Sequence, residues 1–202
     1  MIKVETLVLG MYAANCYLLW KDDHVLIVDP GSRNPKIKER IMQEHAIIDG
    51  IYLTHGHFDH IQGVDVLVEA FQVPVYINAL ETSFLKDPRR NVSYGANEVK
   101  LQTEAIGLQP GVQSIGVFSF ELIDAPGHSI GSSIMLLENY MICGDVLFKG
   151  SIGRCDLLTG SNTQMRQTLQ MIKRLDPSYI VLPGHGEPTT LLDELKTNPY
   201  LI

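Results

Sequence analysis

The stretch Thr54-His55-Gly56-His57-Phe58-Asp59-His60 constrains this chain more than any other. Four side chains able to ligate a metal fall within six residues, directly after the apolar run Ile51-Tyr52-Leu53, which reads as a buried strand. A strand holds its end rigidly, and a glycine-containing turn just beyond it can aim several side chains at one point. Imidazole and carboxylate are ligands that zinc, iron(II) and manganese accept. Three of the seven histidines gather here beside Asp59, a density that an ordinary polar turn does not need.

Three more stretches share one local design: an apolar strand, a glycine, then one ligand. They are Leu122–His128, Met141–Asp145 and Ile180–His185. Each alone is a common turn; together they complete a donor set of His55, His57, Asp59, His60, His128, Asp145 and His185. Seven donors exceed one tetrahedral ion and suit two. The natural division gives His55, His57 and His128 to one ion and Asp59, His60 and His185 to the other. Asp145 bridges them, and Asp59 and Asp145 are the carboxylates expected at the chemistry. Two ions about 3.5–4 Å apart lower the pKa of a shared water from about 15.7 towards 7 and polarise a carbonyl. The implied reaction is hydrolysis by a metal-bridging hydroxide, without a serine or cysteine nucleophile. Gly127-His128-Ser129-Ile130-Gly131 also fits the GxSxG elbow of serine hydrolases. That elbow requires a helix after the serine, whereas Ile134-Met135-Leu136-Leu137 reads as a strand. Asp29 and Thr54 are candidates to orient the imidazoles; Asp29 reads equally well as the turn-former of Asp-Pro-Gly.

The 202 residues suit one domain over 1–202 with a substantial core. A net charge of -7 argues against a nucleic-acid surface, which needs a basic stripe. No run approaches the ~18 apolar residues of a membrane span, and no basic-then-apolar leader opens the chain, so a cytoplasmic protein is expected. Cys16, Cys143 and Cys155 are odd in number and widely spaced, which fits free thiols rather than a disulfide framework.

Strands are expected over 2–9, 16–20, 25–28, 75–77, 117–123, 134–137, 140–143 and 180–182. Asn34 and Pro35 begin a helix with Ile37, Ile41 and Met42 on its apolar face. A second helix carries Val64, Leu67, Val68 and Phe71, and a short one covers 79–85. A longer one covers 161–175, with Met165, Leu169, Ile172 and Leu175 on one face. A last short helix covers Thr190–Lys196. Residues 86–97 read as a long exposed loop in which Arg89 and Arg90 are solvated, and His24 and His45 read as surface residues. Strands in both halves with helices between them argue two sheets packed face to face with helices outside.

These residues resemble the metallo-β-lactamase fold superfamily over nearly the whole chain. Within it the chain looks most like short glyoxalase II-like (hydroxyacylglutathione hydrolase-type) hydrolases. The subgroup is marked by Gly144–Arg154, by Pro183-Gly184-His185-Gly186-Glu187-Pro188-Thr189-Thr190 and by Thr197-Asn198-Pro199-Tyr200. The resemblance implies a four-layer αβ/βα sandwich, in the α/β class, with two mixed sheets and a dinuclear site at their edge. It implies two divalent ions, with zinc the first expectation and iron or manganese also found in the family. β-Lactamases of this fold commonly place Cys where Asp145 stands. Full-length glyoxalase II adds a C-terminal domain for glutathione, and this chain ends about where that domain would begin. Arg154 falls where the family carries a substrate-binding Lys, and Asp156 where it carries a Tyr, so Arg154 is a candidate substrate contact. The expected substrate is a small thioester of a low-molecular-weight thiol. The alternatives are a mononuclear iron persulfide dioxygenase using His55, His128 and Asp145, or a lactonase.

Overall fold

The computed structural model describes residues 1–95 and 97–202. The first sheet is built from β1 (Lys3–Leu9), β2 (Ala14–Lys21), β3 (His24–Val28), β4 (Ile47–Leu53), β5 (Val75–Asn78) and β6 (Ile106–Leu108), in that order. β1 to β3 are antiparallel, and β3 to β6 run parallel. The second sheet uses β7 (Gly111–Ile115), β8 (Phe118–Asp124), β9 (Ser133–Leu137), β10 (Tyr140–Gly144), β13 (Ile180–Pro183) and β14 (Thr189–Thr190). Its order is β14-β13-β10-β9-β8-β7. β11 (Leu147–Phe148) and β12 (Ser151–Ile152) form a small hairpin between them in the chain.

Alternation along the strands makes three apolar layers. In β2 and β3, Leu18, Trp20, Val25 and Ile27 point outward to a layer with Ile37, Ile41, Val64 and Leu67. Those four come from α1 (Lys36–Glu44) and α3 (Val64–Phe71). Tyr17, Leu19, Leu26 and Val28 point the other way, into a layer shared with Phe118, Phe120, Met135 and Ile142 of the second sheet. Ile134, Leu136, Met141 and Val181 face outward again, onto Met165, Leu169, Ile172 and Leu191. These belong to α4 (Asn162–Ile172) and α5 (Leu191–Thr197). Strands buried on both faces are why β2, β3, β9 and β10 read as unbroken apolar runs. The four-layer αβ/βα sandwich is therefore the observed fold.

Several local expectations are corrected. Met42 is 55% exposed and lies outside the face made by Ile37 and Ile41. His24 is not a free surface residue: it is half-buried, with Nδ1 2.7 Å from Asp49 Oδ1. α4 ends at Ile172, because the chain turns before Pro177, and Leu175 packs from that turn. Residues 86–97 are pinned rather than wholly exposed. Asn91 is buried and donates to the carbonyls of Phe84 and Val99 at 3.0 and 2.8 Å. Ala96, within that stretch, lies outside the described residues. β6 and β7 are strands that periodicity did not reveal. No helix among the described residues is long and apolar enough to cross a membrane.

Candidate metal centre

Every proposed donor sits just past a strand end, at one edge of the sandwich. His55, His57, Asp59 and His60 follow β4, the last two on the short α2 (Phe58–Ile61). His128 follows β8, Asp145 follows β10 and His185 follows β13. Two glycines let the turns approach. Gly144 has φ +48, and a Cβ there would meet Thr54 Oγ1 at 2.2 Å. A Cβ on Gly184 would meet Asp145 Oδ1 at 2.1 Å.

The donors gather into two triads. Ligand atoms of His55, His57 and His128 lie within 4.8 Å of one another, and so do those of Asp59, His60 and His185. Asp145 stands between them. Its Oδ2 is 3.5 Å from His128 Nε2 and 3.6 Å from His185 Nε2, and its Oδ1 is 3.4 Å from His60 Nε2. A third group, Asp29, His55 and His60, also meets the distance criterion. Asp29 is already engaged: it accepts from Thr54 N at 2.8 Å and Thr54 Oγ1 at 2.6 Å, and lies 3.1 Å from His60 Nδ1. Asp29 is thus a buried orienting carboxylate as well as a turn residue.

Hydrogen bonds behind the rings fix which nitrogen faces inward. His128 Nδ1 faces the Arg154 carbonyl at 2.8 Å, and His185 Nδ1 faces the Tyr12 carbonyl at 3.0 Å. A carbonyl only accepts, so Nδ1 carries the proton in both rings and Nε2 keeps its lone pair for the centre. His60 Nδ1 donates to Asp29 in the same way. Thr54 gives its hydroxyl proton to Asp29, so its oxygen accepts from His55 Nδ1 at 3.1 Å. His57 differs, presenting Nδ1 2.8 Å from His128 Nε2.

The fit to cations rests on what these atoms lack. Among the described residues, His55 Nε2, His60 Nε2 and Asp145 Oδ1 are buried without a hydrogen-bond partner. Buried polar atoms are rarely left so, and these three point into one place. Burial and then the neighbouring imidazoles hold His55 well below its usual pKa, and burial with His128 pulls His57 down to about 3. Burial also lowers His128. Neutral rings are the ligand form. In the other triad burial opposes the charge on His60, but Asp145 and Asp29 raise it, and the Asp59 hydrogen bond raises His185, so an ion there takes the place of protons. Burial opposes ionisation of Asp145, but His60, then His128 and His185, outweigh it and keep it a carboxylate. The set fits two divalent ions.

One role expected from sequence changes, and the rejected serine elbow stays rejected. Arg154 does not offer its guanidinium to the centre: it is 62% exposed and forked onto Asp156 at 2.7 and 2.8 Å. Its backbone carbonyl orients His128 instead. Ser129 is fully buried, no helix follows it, and it donates to Glu81 at 2.5 Å, so it is no nucleophile elbow. Glu81 carries no signature in the sequence. It is buried and also accepts from Gly56 N at 2.6 Å and Gly131 N at 2.7 Å. Nothing local marks it, since its partners lie 25 to 50 residues away.

Beside Asp59 opens a cavity of about 500 Å³, lined in part by Leu9, Met11, Tyr12, Arg33, Phe58 and Val99. Tyr12 and Phe58 meet edge to face, with ring centroids 4.9 Å apart.

The model of the metallo-beta-lactamase superfamily matches residues 9–185. The chain belongs to that superfamily. A probable metallo-hydrolase of Bacillus subtilis, YqgX, is 35% identical over 99% of this chain and 98% of its own length. The hydroxyacylglutathione hydrolase GloC of Haemophilus influenzae is 27% identical over 99% and 98%. Among solved structures, the B3 metallo-beta-lactamase BLEG-1 superposes with a TM-score of 0.93 at 34% identity, covering 98% of this chain and 99% of that one. TTHA1623, in a di-iron-bound form, gives 0.88 at 32% identity, covering 98% and 100%. These relatives make this superfamily member a metal-dependent hydrolase in broad class.

Proposed function

We propose that this metallo-hydrolase cleaves thioesters of a low-molecular-weight thiol, in the manner of hydroxyacylglutathione hydrolases. The observation that carries the reading is the joining of two three-donor groups through one carboxylate, Asp145. His55, His57 and His128 would hold one divalent ion, Asp59, His60 and His185 the other, with Asp145 shared. Bound there, the ions supply an activated water and a Lewis acid towards a carbonyl oxygen.

The rest is the work of the chain's own residues. Asp29 and Thr54 lock His60 and His55 in the tautomer that presents Nε2. The Tyr12 carbonyl does the same for His185, so the turn that shapes the cavity also sets a ligand. In the cavity, Leu9, Met11, Tyr12, Phe58 and Val99 offer an apolar wall to an acyl or thiol chain, and Arg33 offers a cation to a carboxylate on it. Glu98, also in the lining, is paired with Lys100 at 2.7 Å. A departing thiolate needs no strong general acid, and the acids around the centre are engaged as carboxylates. The similarity to GloC supports the thioester class. Cys16, Cys143 and Cys155 are free thiols, which suits the cytoplasmic setting we assign.

The test is turnover by metal-analysed protein on a panel of hydroxyacyl thioesters of glutathione, acyl-homoserine lactones, a β-lactam and glutathione persulfide. We expect about two equivalents of metal and thioester hydrolysis. One iron with oxygen consumption on the persulfide would replace the reading with a dioxygenase. The similarity to BLEG-1 favours β-lactam ring opening as the second reading, and β-lactam turnover without thioester turnover would establish it. Asp145→Ala should retain at most one ion per chain and lose hydrolysis; full metal content in that variant would remove the bridging assignment.

A further inference from the structure

We propose that Glu81 is a positioning residue for the first triad, fastening the turn of His55 and His57 to the turn of His128. The inference rests on the two-ion reading above. Glu81 lies on the 3-10 helix Ala79–Lys86, outside both ligand-bearing turns, and is fully buried. One oxygen, Oε2, accepts from the backbone N–H of Gly56, which stands between His55 and His57. The other, Oε1, accepts from Gly131 N and Ser129 Oγ, in the loop that begins with His128. Ser129 is also linked to Ser132 at 2.6 Å, and Ser132 Oγ accepts from Ser129 N at 3.1 Å, so the whole 129–132 turn is tied to this carboxylate.

A buried carboxylate is costly unless donors converge on it. Here three donors from two distant segments do, and those segments supply all three members of one triad. The other triad has no such tie to Glu81: His60 leans on Asp29 and His185 on Tyr12. Asp29 stands behind His60 and, through Thr54, behind His55, so it reaches both triads, whereas Glu81 ties together only the turns of the first; loss of Glu81 should be felt at one ion before the other. Glutamine at this position has one acceptor oxygen, and its NH₂ group would confront an N–H or O–H donor. The side chain would keep its volume and lose its grip on one turn.

The experiment is stepwise Co(II) titration of metal-stripped protein, read by visible absorption, with melting of the metal-free form followed in parallel. Wild type should show two steps, and His128→Ala marks which belongs to the first triad. In Glu81→Gln that step should weaken by roughly 10- to 100-fold, with its band altered, while the other step stays within a few-fold. Ser129→Ala, a smaller change, should weaken the same step to a lesser degree. It decides the matter if Glu81→Gln does not fold. Equal weakening of both steps together with a lowered melting temperature would reduce Glu81 to a scaffold residue and overturn the proposal. So would two unaltered steps in the folded variants. A wild type that takes up only one ion would instead sink the two-ion reading, and Glu81's role with it.

Discussion

Asp29 holds Thr54 through both oxygens and reaches His60 with one of them, so a single carboxylate stands behind two imidazoles. Removing an outer partner of this kind typically weakens metal binding by about 10- to 100-fold. Asp29→Ala should do so at both ions, since His60 and, through Thr54, His55 belong one to each triad, as measured by competition with a chelator. The thiols allow a second prediction. Burial pushes Cys143 up to about 12 and Cys16 well above the usual thiol range; partial burial and then Asp156 raise Cys155 too, but it alone of the three is open to solvent. The thiolate is the reactive form. The native protein should therefore release one equivalent on treatment with a disulfide reagent at neutral pH, and three after denaturation. Legibility at this scale followed proximity. The seven donors stand out because each falls in a glycine-containing turn just past a strand. Asp29 was half legible, because the turn it forms and the histidine it holds make the same demand for a carboxylate. Arg154 misled, because its guanidinium found Asp156 two residues away and only its carbonyl faces the centre.

At the level of elements, the design is a stiff strand followed by a turn that brings backbone close to ligand. Gly184 is such an approach, with Asp145 Oδ1 2.1 Å from where a Cβ would stand and His60 Cε1 2.8 Å away. Gly184→Ala should leave far-UV circular dichroism unchanged and lower metal affinity at least about tenfold, since the carboxylate or the turn must shift. Strands buried on both faces were legible as apolar runs. β6 and β7 were not, because Ile106-Gly107-Leu108 and Gly111–Ile115 lie largely exposed at the sheet edges and carry no alternation. α2 was also hidden: it is only four residues long, and two of them, Asp59 and His60, are donors rather than part of an apolar face.

For the molecule as a whole, two sheets share a central apolar layer, and the donors sit where the ends of both meet. Each triad takes two members from the turn after β4 in the first sheet and one from the second sheet. Ions that bind only the folded chain stabilise it by mass action, by about 2.7 kcal/mol at a hundredfold excess over the dissociation constant. For a chain of this size that corresponds to roughly 5–10 °C. Chelation should lower the melting temperature by that amount, and restoring metal should reverse it. The two-sheet plan is readable from strands recurring in both halves, but the strand order is not, since spacing says nothing of which strands are neighbours. Asn15 adds a fastening of its own at this seam, donating to the carbonyls of Pro183 and Gly186 at 2.9 Å each. Because both cages are shared across that seam, a polypeptide severed between the two sheets would give fragments that are each chemically mute. Their reunion would announce itself by the uptake of ions that neither fragment could capture alone.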